Sequence, residues 1–108
     1  MKLLLFLSFI QHINCFLNGT YLCTINGELV KSSYQNTTLN LDVSGIISKN
    51  CDNTISYTLT NNKLNLNNYQ KCFGNLVTSI YMTYDPNNDI ILFETNALGI
   101  NYHCSMTK

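Results

Sequence analysis

Residues 55–67 read ISYTLTNNKLNLN, two short runs in which apolar and polar side chains alternate on either side of Asn61-Asn62. Alternation with a period of two is typical of antiparallel strands that have one face in the core and the other in water. Asn tolerates the positive φ angles of a tight two-residue turn, so the segment predicts a β-hairpin. Each residue of the first strand then faces the residue equally far from the turn on the second strand.

The register of this hairpin also predicts a disulfide bond. Cys51 and Cys72 lie equally far from the turn and fall on the apolar faces of the two runs. They would meet at a non-hydrogen-bonded position, where a disulfide closes without large strain. The remaining pair, Cys23–Cys104, would then join the first and last strands. Asn67-Asn68 is a point where the ladder can end before Cys72, and a short helical turn within residues 67–74 is the one expected exception to the strands.

Alternation recurs along most of the chain and predicts an all-β fold. Further alternating runs lie at residues 21–25, 38–43, 80–84 and 100–104. Asn26-Gly27 and the segment Asp85–Asp89 have turn composition. Only Ile90–Phe93 is apolar on both faces, which predicts a central strand covered on both sides. We therefore expect a small antiparallel β-sandwich or small barrel of about seven or eight short strands, stabilised by disulfides.

The N-terminus predicts export from the cell. Met1-Lys2 precedes the apolar run Leu3–Ile10, which is typical of a secretory signal peptide and too short to span a bilayer. We expect a signal peptide at residues 1–15, cleaved after Cys15 or within a residue or two of it, and a single secreted β domain at residues 16–108. Removing Cys15 from the five cysteines leaves an even number, which in a small extracellular chain predicts two disulfides.

The charge inventory excludes some classes of partner. Only 11% of the residues are charged, the formal net charge is zero, and the chain contains no Arg. A nucleic acid or an anionic membrane surface would require a basic patch, so neither is expected. No apolar run after the signal peptide is long enough for a membrane span. Two sequons, Asn18-Gly19-Thr20 and Asn36-Thr37-Thr38, predict N-glycosylation at Asn18 and Asn36.

Candidate catalytic and metal-binding residues are few. His103 is the only histidine of residues 16–108, and it lies on the polar face of the last predicted strand, where a solvated side chain is expected. The cysteines lack the close spacing of zinc ligands. Asp85 and Asp89 flank a turn and offer oxygen ligands for calcium, although Asp is also a common turn residue. Glu94 is the only acid in an apolar setting, and no second carboxylate is evident as its partner. The sequence predicts no catalytic residue, no metal site and no cofactor.

The composition favours a binding role. The chain has seven Tyr and is rich in Asn, Ser and Thr, a mixture typical of recognition loops, although an AT-rich genome would produce a similar bias. Tyr34, Tyr69 and Tyr81 are the candidate surface residues. We expect a small secreted, non-enzymatic binding protein that recognises an extracellular protein or glycan. One alternative is a carrier that encloses a small apolar ligand, lined by Ile90–Phe93 and Met82, and a hydrolytic enzyme is the third.

Overall fold

The computed structural model describes residues 16–43, 46–47 and 50–108, with the main chain alone at residues 50 and 52–54. The predicted signal peptide and its cleavage after Cys15 lie outside the described residues. The described chain forms eight strands: β1 (Gly19–Ile25), β2 (Glu28–Gln35), β3 (Thr38–Asp42), β4 (Asn50–Thr60), β5 (Lys63–Asn67), β6 (Val77–Asp85), β7 (Ile90–Ala97) and β8 (Ile100–Thr107). A short helix, α1 (Tyr69–Phe73), and a 3₁₀ helix (Gly74–Leu76) connect β5 to β6.

The strands form a closed barrel. Each strand pairs antiparallel with the next one along the chain, and β8 pairs with β1. The all-β prediction is confirmed, and the barrel, rather than the sandwich, is the architecture formed. Tight turns make this possible: Asn26 and Gly27 have φ angles of 54° and 81°, and Asn61 and Asn62 have 51° and 64°. Positive φ at both positions defines the type I′ turn, whose twist matches that of the flanking strands.

The predicted register of the β4–β5 hairpin is confirmed from Thr60↔Lys63 to Ser56↔Asn67. The ladder ends there because Asn68, with a φ of 70°, turns the chain into α1. The register alone suggests that Cys72 lies on a strand opposite Cys51. In the structure Cys72 lies on α1 instead. The Cys51–Cys72 disulfide is nevertheless formed, with a Cα–Cα distance of 6.1 Å, and it ties α1 to β4.

The second predicted disulfide is also confirmed. Cys23 on β1 and Cys104 on β8 are bonded, with 6.0 Å between their Cα atoms. The ladder between these two strands is short, because Leu22↔Thr107 is the single β1–β8 register pair among the described residues. The disulfide thus joins the two strands that complete the circle.

Inward side chains fill the barrel. An eight-stranded barrel is just wide enough for its own side chains to occupy the interior. The largest fully buried ones are Tyr21, Tyr57, Phe73, Phe93, Leu39, Leu41, Ile55, Met82, Ile91, Met106, Val30 and Cys51. Two buried polar side chains have hydrogen-bond partners: the Ser32 hydroxyl donates to Met106 Sδ at 3.3 Å, and Thr95 Oγ1 donates to the Ser79 carbonyl at 2.9 Å. Burial therefore leaves few unpaired polar groups inside.

The prediction that Ile90–Phe93 is covered on both faces is wrong. Ile91 and Phe93 point into the core, whereas Leu92 is 49% exposed on the outer surface. The physical reason is the single layer of the barrel: β7 is hydrogen-bonded to a neighbour on each edge, but only its inner face is covered. Both helices in the described part of the chain are far shorter than the roughly 20 apolar residues that a membrane-spanning helix needs.

The β7–β8 turn carries an unusual residue. Leu98 and Gly99 form its two central positions with φ angles of 54° and 80°, and the Leu98 amide donates to the Leu76 carbonyl at 2.9 Å. The left-handed region costs a branched, non-glycine residue roughly 1–2 kcal/mol, because its Cβ crowds the following carbonyl. The Leu98 side chain is 61% exposed, so its packing contributes little stability to offset this cost.

We predict that Leu98→Asn stabilises the protein. Asn visits the left-handed region more easily than Leu, so the substitution should raise the free energy of unfolding by about 0.5–1 kcal/mol. For a domain of this size the melting temperature should rise by about 2–6 °C, measured by thermal circular dichroism. Leu29→Asn is the matched control, because Leu29 is 55% exposed on the extended backbone of β2 and should gain nothing. An unchanged or lower melting temperature for Leu98→Asn would contradict the argument.

Candidate binding face

The three tyrosines predicted for the binding surface lie in different environments. Tyr34 is 5% exposed, and its assignment to the surface is corrected. It shares the inward parity of Val30 and Ser32 on β2, so its ring points into the core. Tyr69 lies on α1, half-buried against the core. Tyr81 is 57% exposed, because it is directed outwards from β6 between inward-facing neighbours.

Tyr81 belongs to a face formed by the outer side of β6, β7 and β8, which we name the binding face after the binding role that the sequence predicts. Its outward side chains are Ser79, Tyr81, Thr83, Leu92, Glu94, Asn96, Asn101, His103 and Ser105. The register places Tyr81 opposite Glu94, and Glu94 opposite His103, so these three side chains form one row across the sheet. Glu94 is exposed here, and the apolar setting predicted for it is not found, since it shares the outward parity of Leu92.

An open groove of about 340 Å³ lies on the binding face. It is lined by Ser79 and Tyr81 from β6, Glu94 and Thr95 from β7, and Asn101, Tyr102 and His103 from β8. The bulge in β6 between Val77 and Ser79 locally offsets the ladder beside this groove. Ligand sites are concave and combine aromatic side chains with polar groups that orient the ligand; this groove has both, and its lining is mostly polar.

The polar side chains of the groove have unused hydrogen-bonding capacity. Among the described residues, Ser79 Oγ, the Glu94 carboxylate and the His103 imidazole have no hydrogen-bond or ion-pair partner, although Glu94 and His103 are direct cross-strand neighbours. Asn101 Oδ1 accepts from Asn96 Nδ2 at 2.8 Å, which fixes the Asn101 amide and leaves its own NH₂ group for a ligand. Asn96 Oδ1 in turn accepts from Thr78 at 2.9 Å.

A cation and an aliphatic side chain flank Tyr81. Lys63 Nζ lies 6.0 Å from the centroid of the Tyr81 ring. In sheet order Lys63 is on β5, so it approaches Tyr81 from the side away from the groove. Leu92, Thr83, Tyr81 and Glu94 line a smaller depression of about 100 Å³ beside it. Aromatic and aliphatic groups on an otherwise polar face are the usual anchors of a binding surface.

Of the two predicted glycosylation sites, Asn36 lies across the barrel from the binding face. Asn18 precedes β1, and Asn36 forms the β2–β3 turn with a φ of 55°; both residues are exposed. In the circular strand order β2 and β3 are opposite β6 and β7. N-glycans on Asn36 would therefore leave the binding face uncovered.

Comparisons of the chain with known proteins add no functional assignment. No family model, curated protein or solved structure matches it. The chemistry of the binding face is therefore argued from its own residues: one exposed aromatic ring, one carboxylate, one imidazole, and a set of hydroxyl and amide groups. Such a set can stack on an apolar surface and exchange hydrogen bonds with a polar ligand.

The segment Asp85–Asp89 is organised by hydrogen bonds within the protein. Asp85 accepts from the Asn87 amide at 3.0 Å and from Asn88 Nδ2 at 2.8 Å. These bonds lower the pKa of Asp85, that from the Asn88 side chain most strongly. This is turn chemistry, the interpretation favoured over calcium binding. The described residues contain no group of three or more His, Cys, Asp or Glu placed to hold a metal ion.

Asp89 connects three elements where the barrel closes. Its Oδ1 accepts from the Tyr21 hydroxyl at 2.5 Å and from the Tyr84 hydroxyl at 2.8 Å, and its Oδ2 lies 3.4 Å from Lys108 Nζ. Lys108 Nζ also lies 5.3 Å from the centroid of the Tyr21 ring. The Tyr21 hydrogen bond, then that of Tyr84 and the charge of Lys108, hold the pKa of Asp89 below its usual value. Burial and the bond to Asp89 raise the pKa of Tyr21.

Two further tyrosines continue this cluster into the barrel. The Tyr34 ring packs edge-on between those of Tyr21 and Tyr57, with centroid distances of 5.7 and 5.4 Å. Burial raises the pKa of Tyr34, and its hydroxyl has no hydrogen-bond partner among the described residues. The Tyr57 hydroxyl accepts from the Leu17 amide at 2.8 Å, which fixes the buried Leu17 near the start of the described chain.

The apposition of Glu94 and His103 was missed at the level of sequence, although a signal was present. Ala97-Leu98-Gly99-Ile100 forms a two-residue turn, and counting outwards from it places Glu94 opposite His103. The sequence pattern does not predict this turn, because leucine is not among the residues that favour positive φ.

We predict that Asp89 contributes to the acid sensitivity of the protein. Its pKa is lower when folded than when unfolded, so its stabilisation is complete above the unfolded pKa of about 4 and is lost as pH falls through the folded value. Asp89→Asn should therefore lower stability at pH 7 and flatten its decline between about pH 5 and pH 2. Urea unfolding at a series of pH values would show this. Tyr21→Phe removes a hydrogen bond to Asp89, so it should shift the decline of the free energy of unfolding towards higher pH. The assignment is refuted if stability declines as steeply in Asp89→Asn as in the unaltered protein.

Proposed function

We propose that residues 16–108 form an exported, non-enzymatic binding protein that recognises an extracellular protein or glycan through the binding face. The observation that carries this proposal is Tyr81, which is 57% exposed beside a groove in which the side chains of Ser79, Glu94 and His103 have no hydrogen-bond partner in the described chain. A large exposed aromatic side chain on rigid strands provides contact area at low entropic cost. The sequence prediction located recognition in loops, whereas this face lies on strands.

The proposal of export draws on the covalent framework. Two disulfides in so small a chain are typical of oxidising compartments. The predicted signal peptide and the exposed positions of Asn18 and Asn36 agree with that compartment. An extracellular protein of this size also gains from cross-links, because its small core supplies limited stability.

A binding role is favoured over hydrolysis by the composition of the groove. Glu94 is the one carboxylate that lines it, whereas glycoside hydrolysis generally requires a pair. His103 has no carboxylate or hydroxyl hydrogen-bonded to its ring among the described residues, so the relay of an activated serine is not assembled.

A carrier of a small apolar ligand is the second candidate. Its supporting observation is the Tyr34 hydroxyl, which is buried inside the barrel without a partner in the described chain. Met82, Ile91 and Phe93, however, are each at most 1% exposed and belong to one packed cluster, which gives a ligand little room between them. The binding face is therefore the better supported of the two.

The proposal predicts that partner binding depends on the exposed anchors of the binding face. Oxidised, glycosylated protein would capture partners from extracellular fluid, and each captured partner would be purified and titrated by surface plasmon resonance. Tyr81→Ala and Leu92→Ser should each weaken binding about tenfold or more, the loss expected when a central anchor is removed.

Leu29→Ala provides the matched control, since Leu29 is similarly exposed but lies on β2, across the barrel from β6. Its affinity should stay within about twofold of the unaltered protein, the small effect usual outside the anchors. A partner whose affinity falls with Leu29→Ala and not with Tyr81→Ala would overturn the assignment of the face. Equal circular dichroism spectra for the variants would confirm that each is folded.

A further inference from the structure

We propose that the ligand of the binding face is a neutral glycan, one pyranose ring of which stacks on Tyr81 within the groove. This inference rests on the proposed function and narrows it to one chemical class of partner. The groove volume of about 340 Å³ is at the small end of the range for ligand sites. Its open form suits the terminal sugar of a chain that continues into solvent.

The aromatic ring provides the stacking surface. The face of a tyrosine ring is electronegative and attracts positively polarised groups, among them the C–H bonds on the flat side of a pyranose. Lys63 Nζ, 6.0 Å from the ring centroid, approaches from the β5 side, so the β7–β8 side of the ring is left to the groove. Because Tyr81 lies on β6, which is paired with β5 on one edge and β7 on the other, its backbone has little motion that a ligand would have to arrest.

The polar lining matches the donors and acceptors of sugar hydroxyls. The Glu94 carboxylate accepts hydrogen bonds, the Asn101 NH₂ group donates them, and Ser79 Oγ can do either. Among the described residues no other group forms a hydrogen bond with the Glu94 carboxylate, the Asn101 NH₂ group or Ser79 Oγ. The hydrogen bond of 2.8 Å from Asn96 Nδ2 to Asn101 Oδ1 orients the Asn101 amide. A ligand rich in hydroxyls would satisfy all of them at once.

The charge of the groove selects among glycans. Glu94 is its only carboxylate, and Lys63 lies outside it on the far side of Tyr81. An acidic sugar would bring its own negative charge close to Glu94, which costs binding energy. Neutral glycans are therefore favoured over sialylated or sulfated ones.

The same face is less suited to a protein partner. A standard protein interface buries about 800 Å² on each side and has a largely apolar centre. Tyr81 and Leu92 are the two large apolar side chains exposed among the residues that define the binding face, and the others are hydroxyl, amide or ionisable groups. A small polar surface with one aromatic platform fits a sugar better.

The test measures direct binding to defined oligosaccharides. Immobilised neutral chains ending in mannose, galactose or N-acetylglucosamine, and sialylated counterparts, would be titrated with the oxidised protein bearing no glycans of its own. We expect saturable binding to at least one neutral chain and at least tenfold weaker binding to its sialylated counterpart. Tyr81→Ala and Glu94→Gln should each reduce binding about tenfold, Tyr81→Phe should retain it, and Leu29→Ala should leave it unchanged.

The outcomes separate this inference from the function on which it rests. No binding to any neutral chain, or binding that Tyr81→Ala leaves intact, would overturn the glycan inference. If a captured partner still binds in a Tyr81-dependent manner after its glycans are removed enzymatically, the glycan inference is wrong and the proposed function stands. If capture is also insensitive to Tyr81→Ala and Leu92→Ser, both are wrong.

Discussion

Closure of β8 against β1 is the constraint on which the barrel depends. The other strand pairs join sequential strands through short connections, whereas this pair unites the two ends of the described chain, and its disulfide spans 81 residues. Bringing distant segments together has an entropic cost that grows with their separation. The short β1–β8 ladder is reinforced by the Cys23–Cys104 bond and by Asp89, which connects Tyr21 on β1 to Lys108, the residue that follows β8.

The binding face depends less on that closure than the core does. Its three strands are joined by two consecutive hairpins, whose register alone aligns Tyr81, Glu94 and His103 in one row. On the inner side of the same strands, Met82, Phe93 and Met106 are buried in the core that the closed barrel surrounds. The barrel thus acts as a rigid support for exposed side chains, and the residues of the proposed recognition chemistry lie on its outer surface.

Local patterns predicted the strands, the β4–β5 register and both disulfides, since alternation and turn residues act over a few positions. Local patterns did not predict which side chains are buried where burial depends on closure of the whole barrel. Leu92 was expected to be covered and Tyr34 exposed, because a single run cannot show which side of a closed sheet it will face. Of the candidate surface residues Tyr34, Tyr69 and Tyr81, Tyr81 alone is exposed on the binding face. The groove around it escaped prediction because it combines three strands, and the register of β7 with β8 depends on the turn at Leu98.

Amide hydrogen exchange by NMR, compared between the unaltered protein and Cys23→Ser/Cys104→Ser, tests the role of closure most directly. The variant should lose about 4–5 kcal/mol of stability by the chain-entropy model, against roughly 3 for Cys51→Ser/Cys72→Ser. Its amides at Leu22 and Thr107 should lose protection first, while those of the β6–β7 hairpin keep more of theirs. Loss of protection confined to the β1–β8 ladder, or no loss at either place, would contradict the claim that closure supports the rest of the fold.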